Sequence, residues 1–218
     1  MTILLSDPRV AAVPVHECGE PLVRLPLDLG PARAWVRHSL AARLIAAQGD
    51  LIERFPALRL RVVEGHRSVA DQEWIVAAYA AEVLNHRPEL AEPAHRTELE
   101  QLVSRFVSPA AVAPHVAGAA VDLTLVDVTG AELDLGTPID ATPEVSGGRC
   151  FTASPDISDD ARAHRDLLAA VLGGQGLVNY PTEWWHWSHG DRYWALVTGA
   201  PAALYGPADA GLTGETAA

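Results

Sequence analysis

The stretch Ala119-Ala120-Val121-Asp122-Leu123-Thr124-Leu125 constrains this chain more than any other. Its apolar density marks a buried strand, yet it carries a carboxylate near its centre. Burying a lone carboxylate is costly unless it is paired, hydrogen-bonded or placed on a metal. A fold that contains this strand must therefore supply Asp122 with partners.

Candidate partners lie nearby and far away in sequence. His115 follows Pro114 in a Pro/Ala/Gly loop, and Gly118 lets the backbone turn closely between His115 and Asp122. A second motif, Glu183-Trp184-Trp185-His186, lies some 60 residues on. In a straight strand its Glu and His would face opposite sides. A local turn or bulge after Pro181-Thr182 would let them converge. The two motifs together offer two imidazoles, one carboxylate for a metal and one spare carboxylate. That is the donor set of a catalytic zinc site: three ligands, an open position for water, and a general base. Each motif alone has a plainer reading. Asp122 could bond to backbone, His115 could be a loop histidine, and His186 could be a satisfied histidine in an aromatic core with Trp184, Trp185, Trp187 and Trp194. A third element, Glu64-Gly65-His66-Arg67-Ser68, closes an alternating strand. Arg67 there could stabilise a developing oxyanion, or pair at the surface with Glu64 or Asp71.

Periodicity orders the rest. Residues 1–30, with Pro8, Pro14, Pro21 and Pro26, read as an extended, irregular segment. Pro31 fits the first turn of a helix over 34–55, with a break near Gly49. A strand is predicted over 58–63, a helix over 69–84 capped by Ser68, and a further helix over 95–107. Residues 127–157 form a long loop with a hairpin at 128–133, followed by a helix from Asp159 to Leu172 capped by Ser158. Short strands are predicted over 177–180, 184–188 and 193–197, with Asp191 and Arg192 paired in a turn before the last, and residues 198–218 as a flexible tail. Helices and strands mix without βαβ regularity, so the fold class is α+β, one domain over 1–218, with an antiparallel sheet bearing the site and helices packed on its other face.

Composition narrows the chemistry. The 218 residues carry a formal charge of -12, which repels phosphate backbones and excludes nucleic acid as a natural partner. All 16 basic residues are arginines, so Schiff-base lysine chemistry and a P-loop lysine are excluded. No stretch approaches a membrane span, and the first residues lack a basic leader, so a cytoplasmic protein is expected. Cys18 and Cys150 are expected as free thiols, with a single disulfide between them the other possibility.

The sequence resembles the D-alanyl-D-alanine dipeptidases, zinc DD-peptidases that share their fold with the Hedgehog signalling domain. The resemblance rests on Glu64-Gly65-His66-Arg67, on Pro114-His115-x-x-Gly118-x-Ala120-Val121-Asp122-Leu123-Thr124-Leu125, and on Leu135-Gly136-Thr137-Pro138-Ile139-Asp140. It continues through Gly176-Leu177-Val178-Asn179-Tyr180-Pro181-Thr182-Glu183-Trp184-Trp185-His186-Trp187-Ser188 and Gly190-Asp191-Arg192-Tyr193-Trp194. It implies one zinc held by His115, Asp122 and His186, with Glu183 as general base. It also implies Arg67 on the scissile carbonyl oxygen and Asp140 near the ammonium of a small dipeptide. The implied reaction is hydrolysis of D-Ala-D-Ala to two D-Ala. Two alternatives stand beside it: a zinc peptidase for other cell-wall peptides (a DD-carboxypeptidase or an L-Ala-D-Glu endopeptidase), and a non-catalytic, metal-stabilised binding domain. His66 and His189 flank the motifs and are candidates for supporting the ligands.

Overall fold

Leu58–Glu64 alternates in sequence and forms a strand because its apolar members Leu60 and Val62 face a helical layer. The computed structural model describes residues 2–208. Its elements in chain order are α1 (Pro8–Ala12), β1 (Leu22–Arg24), β2 (Trp35–Arg37), α2 (His38–Arg54), β3 (Leu58–Glu64), α3 (Val69–His86), α4 (Arg96–Val103), β4 (Ala120–Asp127), α5 (Pro143–Ser146), α6 (Asp159–Gly174), β5 (Val178–Asn179), β6 (His186–Ser188) and α7 (Arg192–Thr198). The main sheet has the order β3-β4-β6-β5 and is antiparallel throughout, while β1 and β2 form a separate antiparallel pair.

Strand parity separates two faces of the main sheet. Val121, Leu123 and Leu125 of β4 join Leu60, Val62 and Trp187 in the principal core. Leu40, Leu44 and Leu51 of α2 and Leu168, Val171 and Leu172 of α6 close that core. Asp122 and His186 sit at the alternate positions and so belong to the opposite face. A smaller cluster of Tyr79, Val103 and Val107 packs α3 against α4. The α+β class and the antiparallel sheet with a helical layer are as the sequence predicts.

Ser68 and Ser158 cap α3 and α6 as predicted, accepting from the amides of Asp71 and Ala161. Five expectations need correction. The helix expected over 34–55 starts at His38, because residues 35–37 pair with β1, and Gly49 does not break it. The lead-in over 1–30 is not wholly extended, since it carries α1 and β1. Residues 193–197 are helical: the Asp191 carboxylate accepts from the amides of Tyr193 and Trp194, and Gly199 ends the helix with φ +74°. Asp191 is thus a helix cap rather than a partner of Arg192, whose guanidinium donates to the carbonyls of Ala11 and Val13. The alternation of Tyr193, Ala195 and Val197 imitates a strand, but the cap overrides it. Residues 198–208, expected to be flexible, pair with the first segment: Ala203 bonds the Pro14 carbonyl, and Gly206 bonds the Glu17 carboxylate. The rest of that expected tail, 209–218, lies outside the described residues. Both cysteines are free, Cys18 exposed and Cys150 buried. Among the described residues no helix is long and apolar enough to cross a membrane.

Gly118 makes the turn that sends His115 and Asp122 to one place. Its φ is +65°, and a Cβ there would collide with the Leu22 side chain. Gly118→Ala is therefore expected to cost about 2–4 kcal/mol, from the left-handed backbone and the overpacking together. Urea unfolding at fixed metal concentration measures it; a loss under about 0.5 kcal/mol, the scale of a neutral surface change, would contradict the role given to this turn.

Candidate active site

Sheet register assembles the site. Asp122 on β4 lies directly opposite Glu64 on one side and His186 on the other, forming a row across three strands. A shift of register between Val62 and Glu64 sets the first of these pairings: Val62 faces Leu123, and the next pair along is Glu64 with Asp122. This is the behaviour of a β-bulge, in which one extra residue is looped out of the ladder. The loop before β4 then brings His115 over the row.

The side chains converge as the sequence suggests. His115 Nε2 lies 3.1 Å from His186 Nδ1 and 3.4 Å from Asp122 Oδ2, and His186 Nδ1 lies 3.1 Å from Asp122 Oδ1. All three residues are buried. Atoms bound about 2.0–2.1 Å from a tetrahedral zinc lie about 3.3 Å from one another, so this triangle fits one such ion. The outer ring nitrogen supports the fit. His115 Nδ1 donates to the Gly65 carbonyl at 2.8 Å, which leaves the Nε2 lone pair turned toward the cluster. Among the described residues this is the one group of three or more His, Cys, Asp or Glu side chains able to share an ion.

Glu183 stands just outside the triangle, its Oε2 3.9 Å from His186 Nδ1. The expected local turn is present: the Glu183 amide bonds the Tyr180 carbonyl, and the His186 amide bonds the Glu183 carbonyl. Burial, and then the charges of Asp122 and Asp140, push the Glu183 carboxyl well above the usual carboxylate range. Asp122 behaves oppositely. Burial works against its charge, but His115 and His186 hold its pKa well below the ordinary value.

Arg67 is not the surface residue of the plainer reading. Its side chain is 15% exposed and is gripped by Glu64, with Nε to Oε1 at 2.8 Å and Nη2 to Oε2 at 2.5 Å. Its Nη1 donates to Gln72 Oε1 at 2.8 Å, and the Gln72 amide donates to the Ser108 carbonyl at 2.8 Å. Asp140 comes to the same cavity from the long loop, with φ +62°, and is the exposed member of the group. Partial loss of water, and then Asp122 and Glu64, raise its pKa. These groups line one cavity of about 270 Å³, with Leu5, Ile75, Phe106 and Trp185 among its apolar walls.

Gln72 as an anchor of Arg67 escaped the sequence reading, and so did the place of Glu64 beside Asp122. Glu64 entered it only as a surface partner, because the bulge that aligns it with Asp122 has no signature in residue type. His66 and His189 point to other partners than the His115–Asp122–His186 triangle: His66 Nε2 meets the Ala208 carbonyl, and the His189 ring lies against Trp194, centroids 4.7 Å apart and tilted by 49°.

The family profile described as D-ala-D-ala dipeptidase matches residues 41–198. A D-alanyl-D-alanine dipeptidase of Synechocystis sp. (strain ATCC 27184 / PCC 6803 / Kazusa) is 27% identical over 216 residues, spanning 84% of this chain and 87% of that protein. A D-alanyl-D-alanine dipeptidase of Escherichia coli (strain K12) is 39% identical over 72 residues, spanning 33% of this chain and 35% of that protein. Among solved structures, a mutant of the vancomycin resistance D,D-pentapeptidase VanY in complex with Zn(II) aligns with a TM-score of 0.39 at 14% identity, covering 83% of this chain and 90% of that one.

Proposed function

The chain belongs to the D-Ala-D-Ala dipeptidase family and is a metallopeptidase, and from that premise we propose that it is a single zinc-dependent domain that hydrolyses D-Ala-D-Ala to two D-Ala. The observation that carries this reading is the buried His115–Asp122–His186 triangle with one unshared carboxylate, Glu183, beside it. His115, Asp122 and His186 would hold the zinc, which would supply Lewis acidity and make water a stronger acid. Glu183 takes the proton from the attacking water and returns it to the leaving amine. Arg67, fixed by Glu64 and Gln72, presents its remaining N–H groups to the scissile carbonyl oxygen as charge develops there. Asp140 receives the free ammonium at the cavity mouth.

Cavity size supports a free dipeptide over a longer wall peptide. About 270 Å³ falls just under the roughly 300–1,000 Å³ of pockets for drug-sized ligands. Leu5, Phe106 and Trp185 are among the residues that line it. The test is release of D-alanine by purified, zinc-loaded protein from D-Ala-D-Ala, beside L-Ala-D-Glu and a wall pentapeptide ending in D-Ala-D-Ala. Cleavage of the dipeptide with little of the others is expected. Preference for the pentapeptide would replace the dipeptidase reading with a carboxypeptidase one, and no cleavage of any would favour a metal-stabilised binding domain.

A further inference from the structure

Helix α6 carries a charge in its buried stripe. Ala161, Arg165, Leu168 and Leu172 are all buried, and Arg165 is 2% exposed. An arginine in that setting is ordinarily matched by a carboxylate. Its four hydrogen bonds instead all go to backbone carbonyls: Nε to Leu135 at 2.8 Å, Nη2 to Arg149 at 2.8 Å, and Nη1 to Phe151 at 2.8 Å and Thr152 at 3.4 Å. Leu135 opens the loop that carries Asp140, and Arg149 to Thr152 close it. One planar guanidinium thus spans the neck of that loop.

The same group reaches the other side of the site. The guanidinium carbon lies 5.7 Å from the Trp184 ring centroid, and Trp184 is the neighbour of Glu183. Trp184 is tied into the loop twice, its indole N–H donating to Thr137 Oγ1 at 2.8 Å and its amide to the Cys150 carbonyl at 3.1 Å. Gly136 keeps the packing close, since a Cβ there would press on Ile157 and on Arg165 Nη2.

We propose that Arg165 is a positioning residue: by clasping both ends of the 135–151 loop beneath Trp184, it holds Asp140 where the substrate ammonium arrives. The inference rests on the reading of Asp140 given above. Arginine suits the task because its donors form a fixed fork, whereas a lysine offers a point charge on a flexible stem. Burial, and then Arg162, lower its pKa to about 10, which leaves it charged at neutral pH.

The test uses Arg165→Lys and Arg165→Met in the full, metal-loaded chain, each alone and combined with Asp140→Asn. Segment-resolved amide hydrogen exchange and steady-state kinetics on D-Ala-D-Ala are measured. Exchange across 136–150 is expected to rise about 10-fold or more while β4 keeps its protection. KM is expected to rise about 10-fold with kcat changed much less, and the rise should shrink to under about 2-fold on the Asp140→Asn background, because residues that act as a unit are non-additive. A purely structural arginine would lower the amount of active enzyme without that non-additivity. Strictly additive effects, unchanged loop exchange, or global unfolding of both variants would overturn the proposal. Should the wild type leave D-Ala-D-Ala intact, the substrate reading fails on its own, and the exchange data alone judge the clasp: a change confined to 136–150 upholds it and its absence overturns it.

Discussion

Glu183→Gln is expected to lower kcat by about 10²–10⁴-fold, the range a positioned acid–base group contributes, while metal content stays near one per chain. The amide keeps the size of the carboxyl in a buried position and removes its ability to take a proton. Glu183 lies 3.9 Å from His186 Nδ1, outside the 3.1–3.4 Å triangle, so the triangle does not need it. Elemental analysis after dialysis, together with initial rates, separates the two functions. A variant that loses its metal would make Glu183 a ligand and would dissolve the assignment of base and donors alike.

The second large effect belongs to the donors. His115→Ala is expected to leave dialysed protein with less than about a tenth of the wild-type metal content, since disturbing even an outer-shell partner of a ligand costs about 10–100-fold in affinity. The loss exceeds that of one donor atom. His115 fixes its own orientation through the Gly65 carbonyl, so both that carbonyl and Asp122 lose a partner at once. Activity should fall with the metal and should not return on adding zinc at micromolar concentration. Full metal retention would show that another group, Glu183 being nearest, completes the set.

Much of this site was legible in the chain because its logic is electrostatic. A carboxylate set in an apolar strand needs partners, and the two histidine motifs were the available ones. Asp122 and His186 then meet because strand parity puts them on one face. Gly118 was readable for a similar reason, as the residue that tolerates the turn between them. The pairing of Arg67 with Glu64 was readable, but its place in the site was not. It depends on a bulge in β3 and on Gln72, which sits one helix away in a pattern that looks solvent-facing. Arg165 left a trace that could have been found, as the one charged residue in the Ala161–Leu172 stripe. Where the sequence reading misjudged, local signals competed. Tyr193, Ala195 and Val197 alternate as a strand would, but two amides bonded to the Asp191 carboxylate decide for a helix.

The looped-out position in β3 bears on how this strand can change in length. Val63, 38% exposed, lies between Val62, paired with Leu123, and Glu64, paired with Asp122. Omitting Val63 would place Glu64 opposite Asp122 by ordinary alternation, and little buried surface would be lost. Omitting any residue from Leu58 to Val62 would instead turn the strand's core side chains outward or drag the Arg67 anchor away from its partners. Insertions and deletions in this strand therefore have one tolerated address, and the ladder on either side of it is closed to them.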